Sequence, residues 1–133
     1  MATLPLQIVS PAKIVFSGSA DMVEVPGTEG DFGVLPGHAP FFSMIRPGVI
    51  TIHNGGTKEK MFVSGGYADV TPEGATILTD DVRELAKLSM EDALAAVEKA
   101  TEAALSAQTD LERARAEKQR LVAEAIVQAL KAA

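Results

Sequence analysis

The chain has 133 residues, 47% hydrophobic and 23% charged, enough for one ordinary domain or a small domain with an appendage. Its net charge of -6 repels phosphate backbones and anionic lipid, so neither nucleic-acid binding nor direct lipid binding is expected. It has no cysteine, which removes disulfides, thiolate catalysis and zinc–thiolate sites together.

From the N-terminus, residues Met1 to Gly18 show no basic start followed by an unbroken apolar stretch, so no signal peptide is expected. No apolar run approaches the roughly 18 residues that span a bilayer. The expectation is a soluble cytoplasmic chain, held at any membrane by a partner. Leu4, Leu6 and Ile8 alternate with Pro5, Gln7 and Val9, the period of a half-buried strand. Val49 to His53, Lys60 to Ser64, Tyr67 to Thr71 and Ala75 to Thr79 are similar β-rich runs. Pro47-Gly48 suits a type II turn, Asn54-Gly55 a hairpin, and Pro72-Glu73-Gly74 another tight reversal. Short strands at this spacing predict an all-β sandwich or barrel. The five phenylalanines and one tyrosine fall on strand positions and are expected in its core.

Composition changes near Arg83. All seven prolines and all eleven glycines precede it, and alanine dominates after it. Ser89-Met90-Glu91-Asp92 has the form of a capping box opening a helix, and Thr109-Asp110-Leu111-Glu112 that of a second. Met90, Leu94, Val97, Ala104 and Leu105 predict the apolar face of the first helix. Leu111, Ala114, Leu121, Val122, Ala125 and Ala129 predict that of the second. So short a connection makes the pair antiparallel. Its alanine-rich seam lets backbones approach closely but buries little area, which leaves the hairpin marginally stable and able to find other partners.

No catalytic constellation is visible. His38 and His53 are the only histidines; they are separated and lack converging partners, so no metal or catalytic site is predicted. His38 is expected to pack at an interface, and His53 to end a strand beside Asn54. No serine sits in a nucleophile-elbow context. Arg113, Arg115, Lys118 and Arg120 make the second helix locally basic. Asp110, Glu112, Glu117 and Glu124 lie three or four residues away, as in a salt-bridged solvent face, and docking on an acidic partner is the alternative.

The densest signal is Gly27-Thr28-Glu29-Gly30-Asp31-Phe32-Gly33-Val34-Leu35-Pro36-Gly37-His38-Ala39-Pro40. Three glycines at three-residue spacing invite a phosphate-loop reading, but that motif needs a following helix, which the prolines here forbid. Glycines that permit positive φ in a tight loop, presenting Glu29 and Asp31 to solvent, account for the spacing better.

This stretch, with Arg46-Pro47-Gly48 and Val63-Ser64-Gly65-Gly66-Tyr67, resembles the epsilon subunits of bacterial F-type ATP synthase and is similar to their mitochondrial counterpart, delta. The resemblance runs from about Leu6 through the helices and is most specific from Gly27 to Pro40. The absence of a transit peptide favours the bacterial form. It implies a segregated α+β fold: a flattened antiparallel β-sandwich of about ten strands over residues 1–84, then an antiparallel two-helix hairpin over 85–133. It further implies a non-catalytic rotor part of the central stalk, without cofactor or metal, peripheral on the cytoplasmic face of the bacterial inner membrane. By the same resemblance, the loop at Thr28, Glu29, Gly30 and Asp31 meets the c-ring, and the face around Ser10 and His38 meets the gamma subunit. The resemblance also implies a hairpin that can fold down on the sandwich or extend to the alpha and beta subunits to restrain ATP hydrolysis, with Arg113, Arg115, Lys118 and Arg120 as candidate contacts in the extended state.

A nucleotide-sensing module is the rival reading. ATP-binding relatives carry an I/L-D-x-x-R-A signature early in the first helix. The matching residues here are Met90-Glu91-Asp92-Ala93-Leu94-Ala95. Leu94 stands in place of the arginine, removing a positive charge and up to five hydrogen-bond donors, so no nucleotide site is expected. Leu94 instead joins the apolar stripe between the helices. An independent small enzyme is the third class, and it lacks a constellation.

Overall fold

A computed structural model describes residues 3–132, leaving Met1 and Ala2 of the N-terminal reading outside it. It divides into two compact units, Met1–Glu84 and Leu85–Ala133. The first is built of β1 (Leu4–Val9), β2 (Ile14–Ala20), β3 (Met22–Gly27), β4 (Gly30–Val34), β5 (Phe41–Ile45), β6 (Gly48–Asn54), β7 (Thr57–Val63), β8 (Gly66–Thr71), β9 (Gly74–Thr79) and β10 (Val82–Glu84).

The strands run in the order β10-β7-β6-β3-β5-β8-β9-β1-β2, with β4 also on β3. All pairs are antiparallel except β1 with β9. The joint between β3 and β5 is the single pair Gly27 with Ile45. There the sheet bends back, and the inner faces of its two halves share one core. Leu4, Leu6, Ile8, Val23, Val25, Ile50, Ile52, Val63, Val70 and Ile77 fill that core. The period-two reading of Leu4, Leu6 and Ile8 holds, since each is buried between exposed or half-buried neighbours. The core threonine Thr79 donates its hydroxyl to the Gly65 carbonyl at 2.6 Å, so no polar cost is left there.

Two turns form as their residues suggest. Gly55 and Gly56 link β6 to β7 with φ of 60° and 87°, the mirror-image turn that matches strand twist, and Pro72-Glu73 links β8 to β9. Pro47-Gly48 does not form the expected type II turn. Gly48 opens β6 and is not among the positive-φ glycines. It is needed because a Cβ there would stand 2.9 Å from that of Pro26.

The aromatic expectation also needs correction. Phe62 is buried and Phe16 and Phe32 are partly so, but Phe41, Phe42 and Tyr67 are exposed.

The second unit holds a single 3-10 turn (Leu85–Lys87), α1 (Met90–Ser106) and α2 (Asp110–Ala132). Ser89 Oγ accepts from the Asp92 N–H at 3.1 Å, and Thr109 Oγ1 from the Glu112 N–H at 3.0 Å. Both caps were legible as motifs. The helices pack along each other through a seam that follows the predicted stripes only in part. Ala93 and Ala100 are buried on α1, and Ala116, Ala123, Ile126 and Val127 on α2. Met90, Val97 and Ala104, and on α2 Val122, Ala125 and Ala129, are half-buried, whereas Leu94, Leu105, Leu111 and Leu121 are exposed and Ala114 with them. Small side chains won the seam because they permit close backbone approach. The cost is area: a buried methyl group contributes only about 0.8 kcal/mol.

Candidate partner-binding surfaces

The β3–β4 hairpin carries the first surface. Pro26 faces Asp31 and Gly27 faces Gly30, so Thr28 and Glu29 form the two-residue tip. Only Gly30 of the three spaced glycines has positive φ, at 131°. Gly27 is required by closeness instead, a Cβ there standing 2.6 Å from the Gly30 carbonyl oxygen. Thr28, Glu29, Gly30 and Asp31 are all exposed. The end of β5 braces the tip: the Thr28 N–H donates to the Met44 carbonyl at 3.0 Å, and the Arg46 N–H to the Pro26 carbonyl at 2.9 Å. Arg46 Nη2 also donates to Asp31 Oδ1 at 2.5 Å. The acidic loop is thus a braced projection.

The second surface is apolar and was not foreseen. Register places Met44 opposite Tyr67, Tyr67 opposite Leu78, Leu78 opposite Val9, and Val9 opposite Ile14. These five residues form one row across β5, β8, β9, β1 and β2. Phe42 stacks on Tyr67 with centroids 5.6 Å apart. Apart from half-buried Val9, these residues are 44% (Tyr67) to 62% (Phe42) exposed. An outward apolar row of this length is unusual for a surface that meets only water. The signal available in the sequence was Phe41-Phe42 followed by Met44: consecutive apolar positions put apolar groups on both faces of a strand. The row ends at Met44, whose carbonyl braces the acidic tip, so the two surfaces adjoin.

Ser10 follows Val9, and its hydroxyl and N–H both donate to the Lys13 carbonyl in the β1–β2 turn. His38 lies in the β4–β5 loop, where Nδ1 donates to the Ala39 carbonyl at 2.6 Å, with its ring 6.3 Å from that of Phe41. The two do not converge. Ser10 adjoins one end of the apolar row, and His38 lies beyond the far end of β5. Phe42 carries the exposed apolar band along β5 towards it. His53, the last residue but one of β6, donates from Nε2 to Glu24 Oε1 at 3.0 Å.

On α2 the four basic residues divide. Arg113 pairs with Asp110 at 3.4 Å, and Arg120 with Glu117 at 2.6 Å and Glu124 at 2.9 Å. The hydrogen bond and charge of Glu117, with Glu124 adding its charge, hold the Arg120 guanidinium above its ordinary pKa. Arg115 and Lys118 are exposed and make no ion pair among the described residues. Leu94 is 53% exposed and does not join the helix seam. Among the described residues no group of His, Asp or Glu side chains is placed to hold a metal, and no helix is long and apolar enough to cross a membrane.

The first unit is thus a β-sandwich that presents an apolar band beside a braced acidic tip, and the second a helical hairpin. The model for the ATP synthase delta/epsilon chain β-sandwich domain matches residues 3–84. The chain is 42% identical over 130 residues to the ATP synthase epsilon chain of Rhodospirillum rubrum, covering 97% of each. It is 50% identical over 101 residues to ATP synthase epsilon chain 1 of Nitrobacter hamburgensis, covering 74% of this chain and 75% of that one. The chain therefore belongs to the epsilon subunits of ATP synthase, a non-catalytic component of that complex. A chain of the Euglena gracilis mitochondrial ATP synthase shares its fold, with a TM-score of 0.85 and 24% identity over 98% of this chain and 82% of that one. So does one from the central stalk and c-ring of the Tetrahymena thermophila enzyme, with a TM-score of 0.64 and 10% identity over 95% of each.

Proposed function

We propose that this chain is a rotor subunit of a proton-translocating F-type ATP synthase, with the sandwich unit 1–84 coupling gamma to the c-ring and the hairpin unit 85–133 acting as a brake. The observation that carries this is the adjacency of the exposed apolar row to the braced acidic tip. Torque has to pass through a body that neither bends nor slips. Close packing of the core supplies the stiffness, and two adjoining surfaces of different chemistry supply two distinct grips. The row Met44, Tyr67, Leu78, Val9 and Ile14, with Phe42, takes an apolar face of gamma between Ser10 and His38. The tip at Thr28, Glu29, Gly30 and Asp31 meets polar and cationic loops of the c-ring, where charge fixes register more than it adds affinity.

The hairpin meets alpha and beta through Arg115 and Lys118 first, because Arg113 and Arg120 are engaged within the helix. Association with the complex holds the chain on the cytoplasmic face of the inner membrane without lipid contact of its own. Leu94 leaves the ATP-binding signature without its arginine, which sets the nucleotide-sensing reading aside. The test is co-purification. The tagged full chain isolated from its own membranes should elute with a large, ATP-hydrolysing complex; elution only as a free monomer overturns the proposal.

A further inference from the structure

Arg46 is the cation that reaches the acidic tip from within the chain. It lies just past β5, at the one pair, Gly27 with Ile45, that joins the two halves of the sheet. Its N–H is bonded to the Pro26 carbonyl, its guanidinium to Asp31, and Pro26 and Asp31 face each other across the hairpin. One residue thus grips both strands below the tip. Asp31 has one oxygen committed inside the chain, whereas Glu29, at the tip itself, has no ion pair or hydrogen-bond partner among the described residues. We infer that Arg46 is a positioning residue: it fixes the β3–β4 tip through Asp31 and leaves Glu29 as the carboxylate free to meet a cationic partner side chain. The role of Glu29 rests on the c-ring reading proposed above; the role of Arg46 does not.

Two measurements separate them. In the isolated full chain, amide hydrogen exchange at Thr28 reports the bracing bond to Met44, and exchange at Asp21, bonded to the His53 carbonyl at 2.8 Å, serves as control. Arg46→Met should speed Thr28 exchange about two- to fivefold, the range open to an exposed ion pair, and leave Asp21 unchanged. Arg46→Lys should restore much of the protection. Equal Thr28 exchange in Arg46→Met and the parent chain overturns the positioning role. In the second measurement, the full chain with Glu29→Gln or Asp31→Asn is added back to complexes depleted of it, with and without the c-ring. Glu29→Gln should weaken binding only when the c-ring is present, and less so at high salt. Weakening by Asp31→Asn alone overturns the assignment of Glu29. No c-ring-dependent loss in either variant overturns that assignment and the c-ring reading with it, while the exchange result still decides Arg46.

Discussion

Leu78 sits in the middle of the external apolar row, between Tyr67 on β8 and Val9 on β1, and is 46% exposed. Fully burying a leucine is worth about 1.5–3 kcal/mol. Covering the exposed share of Leu78 with gamma is therefore worth about 0.7–1.4 kcal/mol, about three- to tenfold in affinity. Leu78→Ala should lose most of that, and, the contact being apolar, by a factor that salt barely changes. Leu78→Asp adds the cost of a carboxylate left unpaired under the partner, bringing the loss to about 3 kcal/mol, or about a hundredfold. The fold should tolerate it: on a half-exposed strand position the change costs about 1 kcal/mol, a few degrees in melting temperature. The assay is titration of alpha–beta–gamma complex, stripped of this subunit, with labelled chain followed by anisotropy. Lys58→Asp, on exposed β7 residues outside the row, is the control and should bind like the parent. If Leu78→Asp binds within about threefold of the parent while melting normally, the row is not the gamma surface.

The other consequences concern the backbone, the hairpin and ATP. Gly66→Ala should cost about 3 kcal/mol or more in denaturant unfolding, because φ there is 145° and a Cβ would lie 1.9 Å from the Leu78 carbonyl oxygen. A chain ending at Leu88 should melt cooperatively and still bind gamma, because the core residues named above all precede Leu85; an unfolded product refutes that division. The same truncation in the assembled enzyme should raise ATP hydrolysis, and an unchanged rate denies the hairpin a braking role. Calorimetric titration of the full chain should show no saturable ATP binding below millimolar concentration, and saturable binding would show that the arginine missing at Leu94 was not decisive.

Where one physical requirement dominates a segment, the sequence announces it. Leu4, Leu6 and Ile8 answer only to the core, so their alternation reads directly, and Ser89 and Thr109 answer only to helix starts. Errors arose where two requirements compete. Phe42 and Tyr67 look like core by type, yet they face outward with the exposed row, and Phe41, on the opposite face of β5, is itself 44% exposed. Leu94, Leu105, Leu111 and Leu121 drew the predicted stripes because leucine is the stronger hydrophobe, while the seam went to Ala93, Ala100, Ala116 and Ala123, whose small size permits closer approach. Gly48 was read as a turn residue, and its reason is Pro26, distant in sequence. At the acidic tip the loop residues were legible from the glycine spacing. Arg46 was not, since its partner lies fifteen residues away and only the strand topology brings them together.

The central claim, that the acidic tip of this sandwich rides on the c-ring, is tested most directly by disulfide cross-linking. A single Asp31→Cys chain is assembled into the enzyme together with a cysteine in the polar loop of the c-subunit, and the products are separated after mild oxidation. A covalent product with the c-subunit is expected. Cross-linking to alpha or beta alone would contradict it.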